Sequence, residues 1–189
     1  HEDIKPEELS LFGIRSHVWQ GVVFVNVSGD APPFEEAHAD LIQRWAEFDQ
    51  PCHLGGKASQ VDMTLTTNWK LAVENYCESY HLPWIHPELN EISPINVHYH
   101  IESHSDYAGQ GSNNYRQLVG TNGNKFADFN NISKEWDHKS EYVAFFPNVL
   151  LGVHRDHSFA MLLLPQGPEA TLERVALFYA NKDVDSSEK

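Results

Sequence analysis

The sequence is poor in the residues that mark several common functions. It has only two cysteines, Cys52 and Cys77. Neither lies in a zinc-type spacing, so a disulfide scaffold and a zinc knuckle are excluded and reduced thiols are expected. Basic residues are scarce: 13 Lys and Arg face 27 Asp and Glu, for a net charge of −14. That balance argues against nucleic acid or an anionic membrane surface as partner. No apolar run nears the ~18 residues that a membrane helix needs. No leader-like pattern opens the chain, and no repeat or low-complexity stretch interrupts it. The expected location is the cytoplasm. What remains is a 189-residue chain, 41% hydrophobic and 21% charged. It is long enough for one globular domain with a substantial core.

The patterning predicts an α+β fold. Val18–Val27 is β-branched and aromatic and reads as a strand pair or one long strand, closed by the breaker Ser28–Pro33. Residues 34–48 predict an amphipathic helix with Ala37, Leu41, Ile42, Trp45 and Phe48 on its apolar stripe. Val61–Thr66 alternates and predicts a strand. Ile95–His104 predicts another, with His98, His100 and His104 on one face. The segments Gly109–Asn114 and Gly120–Asn124 read as loops. From Glu141 onward four runs, Tyr142–Phe146, Val149–His154, Ser158–Pro165 and Leu172–Asn181, predict an antiparallel meander. Asp156, in a His-Arg-Asp-His turn, is expected to pair with Arg155 or cap the turn.

The most informative stretch is Asn68–Pro87, NWKLAVENYCESYHLPWIHP. A helix starting near Trp69 would place Glu74, Glu78 and His81 at i, i+4 and i+7, on one face. Pro83 is expected to stop that helix, and His86 would follow in the next turn. Two imidazoles so delivered can reach one metal ion, and neutral imidazoles suit iron, zinc or copper. The same spacing also fits a buried polar helix with satisfied histidines, and spacing alone leaves both readings open.

These residues carry a resemblance. An acidic residue, two residues, a histidine, four residues and a histidine, preceded by an Asn and an aromatic, resembles the mononuclear-iron motif of Rieske non-heme iron oxygenase alpha subunits. Here the pattern is Asn75, Tyr76, Glu78, Tyr80, His81 and His86, with Asn68-Trp69-Lys70 as a similar lead-in. Glu78 stands where many members have Asp, which resembles the branch that oxidises carnitine, choline or betaine. The Trp-Gln-Gly…Phe-Val-Asn pattern at 19–26 resembles the last strands of a Rieske domain. Residues 1–30 are accordingly expected to end such a domain and residues 31–189 to form most of a catalytic domain.

The resemblance implies an antiparallel sheet in a helix-grip (START/Bet v 1-like) arrangement around a substrate cavity. It implies mononuclear Fe(II) held by His81 and His86, with Asn75 near the metal. It gives Glu78 a bridging role between His81 and a cluster histidine of a neighbouring subunit. The third ligand is expected to be an Asp on a downstream helix, around or beyond the end of this chain; Asp183 and Asp185 are poor candidates. No Cys-x-His or Cys-x-x-His pair occurs, so a 2Fe–2S cluster is not expected on these residues but elsewhere in the parent protein. Electrons would come from NAD(P)H through a reductase or ferredoxin, the substrate would be a small aromatic or quaternary ammonium molecule, and the assembly a homotrimer. Two rivals remain: a non-catalytic helix-grip binding module, and a zinc hydrolase using the same histidines.

Overall fold

A computed structural model describes residues 9, 11–102, 106–117, 119 and 123–182. Strands β1 (Arg15–Trp19) and β2 (Val22–Asn26) form a separate antiparallel hairpin. Gln20 and Gly21 between them both have positive φ, as a two-residue hairpin turn requires. A side chain at Gly21 would also strike the Phe178 ring.

The predicted helix at 34–48 is broken. It becomes α1 (Phe34–Ala37), α2 (Ala39–Arg44) and a 3-10 turn, Ala46–Phe48. His38 leaves helical geometry, and its Nδ1 meets the Asp106 carboxylate. The apolar stripe holds nonetheless, with Leu41, Trp45 and Phe48 all buried.

The main sheet is antiparallel and has eight strands: β3 (His53–Leu54), β4 (Gln60–Leu65), β5 (His98–Ile101), β6 (Tyr107–Ser112), β7 (Ser140–Phe145), β8 (Val149–Val153), β9 (His157–Gly167) and β10 (Ala170–Tyr179). Its order is β3-β10-β9-β8-β7-β6-β5, and β4 also pairs with β10. The predicted meander is therefore present as β7–β10. The expected strand at 95–104 is β5, preceded by a 3-10 turn at Ile95–Val97; His104 lies outside the described residues.

Strand β6 corrects the loop expected at Gly109–Asn114. Its glycines are a demand of the sheet, since a Cβ on Gly109 would strike the Tyr142 carbonyl oxygen and one on Gly111 the Tyr99 ring.

Alternation divides the sheet into two faces. One packs Val143, Phe145, Leu151 and Ala160 against Trp19, Leu41 and Trp45 of the hairpin and α2. Within that core Glu141 is fully buried and takes hydrogen bonds from Arg44, Trp45 and Tyr99. The other face packs Ala144, Leu150 and Leu163 against helix α3 (Trp69–Cys77), through Trp69, Ala72, Val73, Tyr76 and Cys77. Two short helices follow, α4 (Leu82–Ile85) and α5 (Pro87–Ile92). Among the described residues no helix is long and apolar enough to cross a membrane.

Candidate metal centre

Helix α3 begins where the sequence places it. Asn68 is its N-cap, and its side-chain oxygen accepts from the Lys70 amide at 3.0 Å. Its apolar side follows the helical period and is buried on the sheet, while Leu71, Glu74 and Asn75 face outward and are exposed.

The helix ends earlier than expected. It stops at Cys77, and Glu78 has extended geometry (φ −125°, ψ 160°). Pro83 does not end it; that proline lies in the first turn of α4, where its missing N–H costs nothing. The shared helical face proposed for Glu74, Glu78 and His81 is thus absent. Glu74 stays on α3, and Glu78 reaches His81 through a turn.

The reason lies on β6. The Gln110 side-chain amide donates to the carbonyls of Tyr76, at 3.0 Å, and Glu78, at 2.9 Å. It takes up carbonyls that a longer helix would have paired internally.

Released from the helix, the Glu78 carboxylate turns back on its own segment. Its Oε1 lies 2.5 Å from Nδ1 of His81, and its Oε2 accepts the Tyr80 backbone N–H. An ionised carboxylate can only accept from an imidazole, so Nδ1 of His81 carries a proton, and in the neutral ring Nε2 keeps its lone pair. His86 closes α4 and opens α5. Its ring lies with its centroid 5.3 Å from that of His81, at 78°. Two imidazoles bound to one metal at about 2.1 Å per nitrogen have centroids roughly 4.5–5.5 Å apart. The observed ring separation falls within that range.

Among the described residues no group of three or more His, Cys, Asp or Glu side chains is placed to hold a metal. The donors fit two of the three ligands of a two-histidine, one-carboxylate iron site. Asp183 and Asp185 lie outside the described residues. Asp156 takes no part: it is buried, accepts from Tyr115 at 2.6 Å and pairs with His157 Nδ1 at 2.8 Å. Its expected partner, Arg155, binds Asp128 and Asp137 instead.

Of the histidines expected on one strand face, His98 bonds Gln110 and Ser93, while His100 is exposed. Neither of two grooves in the structure lies beside His81 and His86, where a cavity is expected. One, of about 1340 Å³, opens between the hairpin, α1 and the opposite sheet face, near Phe24, Phe34, Phe145 and Phe178. The other, of about 450 Å³, lies near Tyr115 and Arg116.

Sequence reading missed Gln110 and the buried group Tyr142, His154 and His157. The Tyr142 hydroxyl lies 3.1 Å from His154 Nε2, and the two histidine rings stack at 4.2 Å. Burial pushes the His154 imidazole well below its ordinary pKa, and neighbouring His157 adds to this. The signal available was alternation: Gln110, Tyr142 and His154 all fall on the α3 side of their strands.

Comparison with known proteins completes the picture. Residues 53–189 match the family model described as ring hydroxylating alpha subunit (catalytic domain). No curated protein matches the chain. Among solved structures, a quaternary ammonium Rieske monooxygenase, described in connection with carnitine oxidation by gut microbiota, superposes with a TM-score of 0.70 at 18% identity, covering 100% of this chain and 48% of that one. Naphthalene 1,2-dioxygenase from Rhodococcus sp., bound to indole, gives 0.69 at 16% identity, covering 98% and 50%. At these identities the likeness establishes the fold, and the chain spans about half the length of the structures it matches.

Proposed function

Because the chain belongs to the ring-hydroxylating alpha-subunit family, matched through its catalytic domain, we propose that the intact protein is the terminal oxygenase component of a Rieske-type system. It hydroxylates or oxidatively demethylates a small organic substrate, aromatic or quaternary ammonium, with O₂. The observation that carries this reading is the pair His81 and His86, rings 5.3 Å apart, with Nδ1 of His81 engaged by Glu78.

Bound Fe(II) would supply oxygen activation, fed by electrons from NAD(P)H through a reductase or ferredoxin and a 2Fe–2S cluster. The residues of this chain do the rest. His81 and His86 would hold the metal through their ring nitrogens. Glu78 fixes the tautomer and orientation of His81, as an outer carboxylate does for a metal-bound histidine. Its oxygens retain lone pairs beyond those used within the segment, and one of these serves a cluster histidine of a neighbouring subunit. Asn75, exposed on α3, would lie near the metal without ligating it. Residues 1–30 end the cluster-bearing domain, and residues 31–189 belong to the catalytic one.

The surroundings support an assembled state, which this reading takes to be a homotrimer. Tyr80, Trp84, Ile85, Leu89 and Ile92 are exposed around the ligand segment, and apolar groups gathered in this way mark a surface that another surface covers.

Metal and chromophore analysis of the intact protein tests the reading. Mononuclear iron together with a 2Fe–2S absorption, and turnover dependent on NAD(P)H and reductase, is the expected result. Zinc at the histidines would make it a hydrolase, and a protein without metal a binding module.

A further inference from the structure

The groups that decide where Glu78 points lie off its own segment, on β5 and β6. Gln110 is 9% exposed, and every polar position of its side chain is engaged. Both amide hydrogens are used, on the carbonyls of Tyr76 and Glu78. Its Oε1 lies 3.0 Å from Nδ1 of His98. An amide oxygen only accepts, so His98 donates from Nδ1. His98 Nε2 lies 2.9 Å from the Ser93 hydroxyl and 3.2 Å from the Ser93 carbonyl oxygen, and Ser93 Oγ lies 2.5 Å from Ser112 Oγ. The two carbonyls fix the amide orientation, since reversed its oxygen would face both of them, and His98 Nδ1 then meets the amide oxygen.

We propose that Gln110 is a positioning residue for the metal centre: clamped by His98, it ends α3 at Cys77, turns Glu78 into extended geometry and so places the Glu78 carboxylate on Nδ1 of His81. Without the two amide donors, the carbonyls of Tyr76 and Glu78 seek other partners. The nearest available to a helix end is continued winding, which would carry the Glu78 side chain away from His81. This inference rests on the reading of His81 and His86 as metal ligands, and its first readout needs no metal.

The test uses the intact subunit, and the first variant is Gln110→Met, which keeps side-chain length and removes both donors. In the metal-free protein, nitrogen–proton correlation spectra of the His81 imidazole report its tautomer. The wild type is expected to show the Nδ1–H form, and Gln110→Met a mixture of both forms. Co(II) binding is the second readout. Loss of an outer-shell partner weakens metal affinity about 10- to 100-fold; for a residue one step further out we expect about 10-fold, with a changed Co(II) visible spectrum.

A residue that merely stabilises the fold would lower the unfolding midpoint and leave tautomer and spectrum as in the wild type; that result overturns the proposal. Should Gln110→Met not fold, His98→Leu frees the amide without removing it. A tautomer mixture there supports the clamp, and a wild-type tautomer overturns it. His81→Ala separates the two readings. If it binds Co(II) like the wild type, the metal assignment fails, while a tautomer shift in Gln110→Met still upholds the positioning of His81.

Discussion

Oε1 of Glu78 and Nδ1 of His81 are 2.5 Å apart although Glu78 no longer belongs to the helix that precedes it. The contact is local, spanning three residues, yet the backbone geometry that permits it is fixed from β6. On the proposed reading the carboxylate has two duties, and one substitution separates them. In Glu78→Gln the amide oxygen can still accept from Nδ1, so the metal is expected to stay at full occupancy. The charge proposed to link His81 to a cluster histidine is lost. Turnover is expected to fall by orders of magnitude, with slow cluster oxidation in single-turnover experiments. Lost iron would instead make Glu78 a ligand, and full activity would remove both roles.

The two histidines are tested directly. His81→Ala and His86→Ala in the intact protein should each abolish mononuclear iron and turnover while the cluster absorption persists. Elemental analysis alongside the visible spectrum checks this. Normal iron in both variants sinks the assignment.

Glu141 offers a prediction about stability. Burial alone pushes its carboxyl up, but hydrogen bonds from Arg44, Trp45 and Tyr99 outweigh that and hold it below the ordinary value. A depressed carboxylate contributes stability above the unfolded-chain value, near 4.3; the contribution is lost as pH falls through the lower folded value. Glu141→Gln should flatten this acid loss. Glu141→Leu leaves Arg44 and two buried donors without a partner. It should cost about 3 kcal/mol, the low end for a broken buried pair, because Arg44 keeps 35% of its side chain exposed. Urea unfolding across pH measures both.

His154 works in the opposite chemical sense with the same pH sign. Its imidazole is held neutral by burial. Below about 6.5 the unfolded chain gains a proton there that the fold refuses. Stability should therefore decline as pH falls from about 6.5, and His154→Phe should reduce that slope. An unchanged slope would mean that His154 takes up its proton inside the fold.

Much of this was legible from the residues, and the exceptions share a cause. The hairpin, β4, the start of α3 and the β7–β10 meander follow from period and turn chemistry, which are local. The misread parts answer to distant partners. The helix at 34–48 breaks because His38 pairs with Asp106, 68 residues away. The glycines of β6 look like loop residues until Tyr142 and Tyr99 are placed against them. Pro83 reads as a terminator, because only Gln110 reveals that α3 has already ended. His81 and His86 were found by spacing and motif. Gln110 has neither; its one signal is alternation, and that is hidden while its glycine-rich strand reads as a loop.

The pairing of β4 with β10 has a consequence for the order in which the molecule is made. Strand β4 leads directly into α3, yet its partner runs from Ala170 to Tyr179, near the far end of the sequence. The strands that receive α3, namely β6, β7 and β9, also emerge after it. At about 5–20 residues per second on the ribosome, His81 and His86 leave the exit tunnel several seconds before the surface that seats their helix exists. During that interval the two imidazoles sit on an unanchored segment with no fixed separation. On the proposed reading, capture of an ion by the pair is thus a late event of biogenesis, following the pairing of β4 with β10.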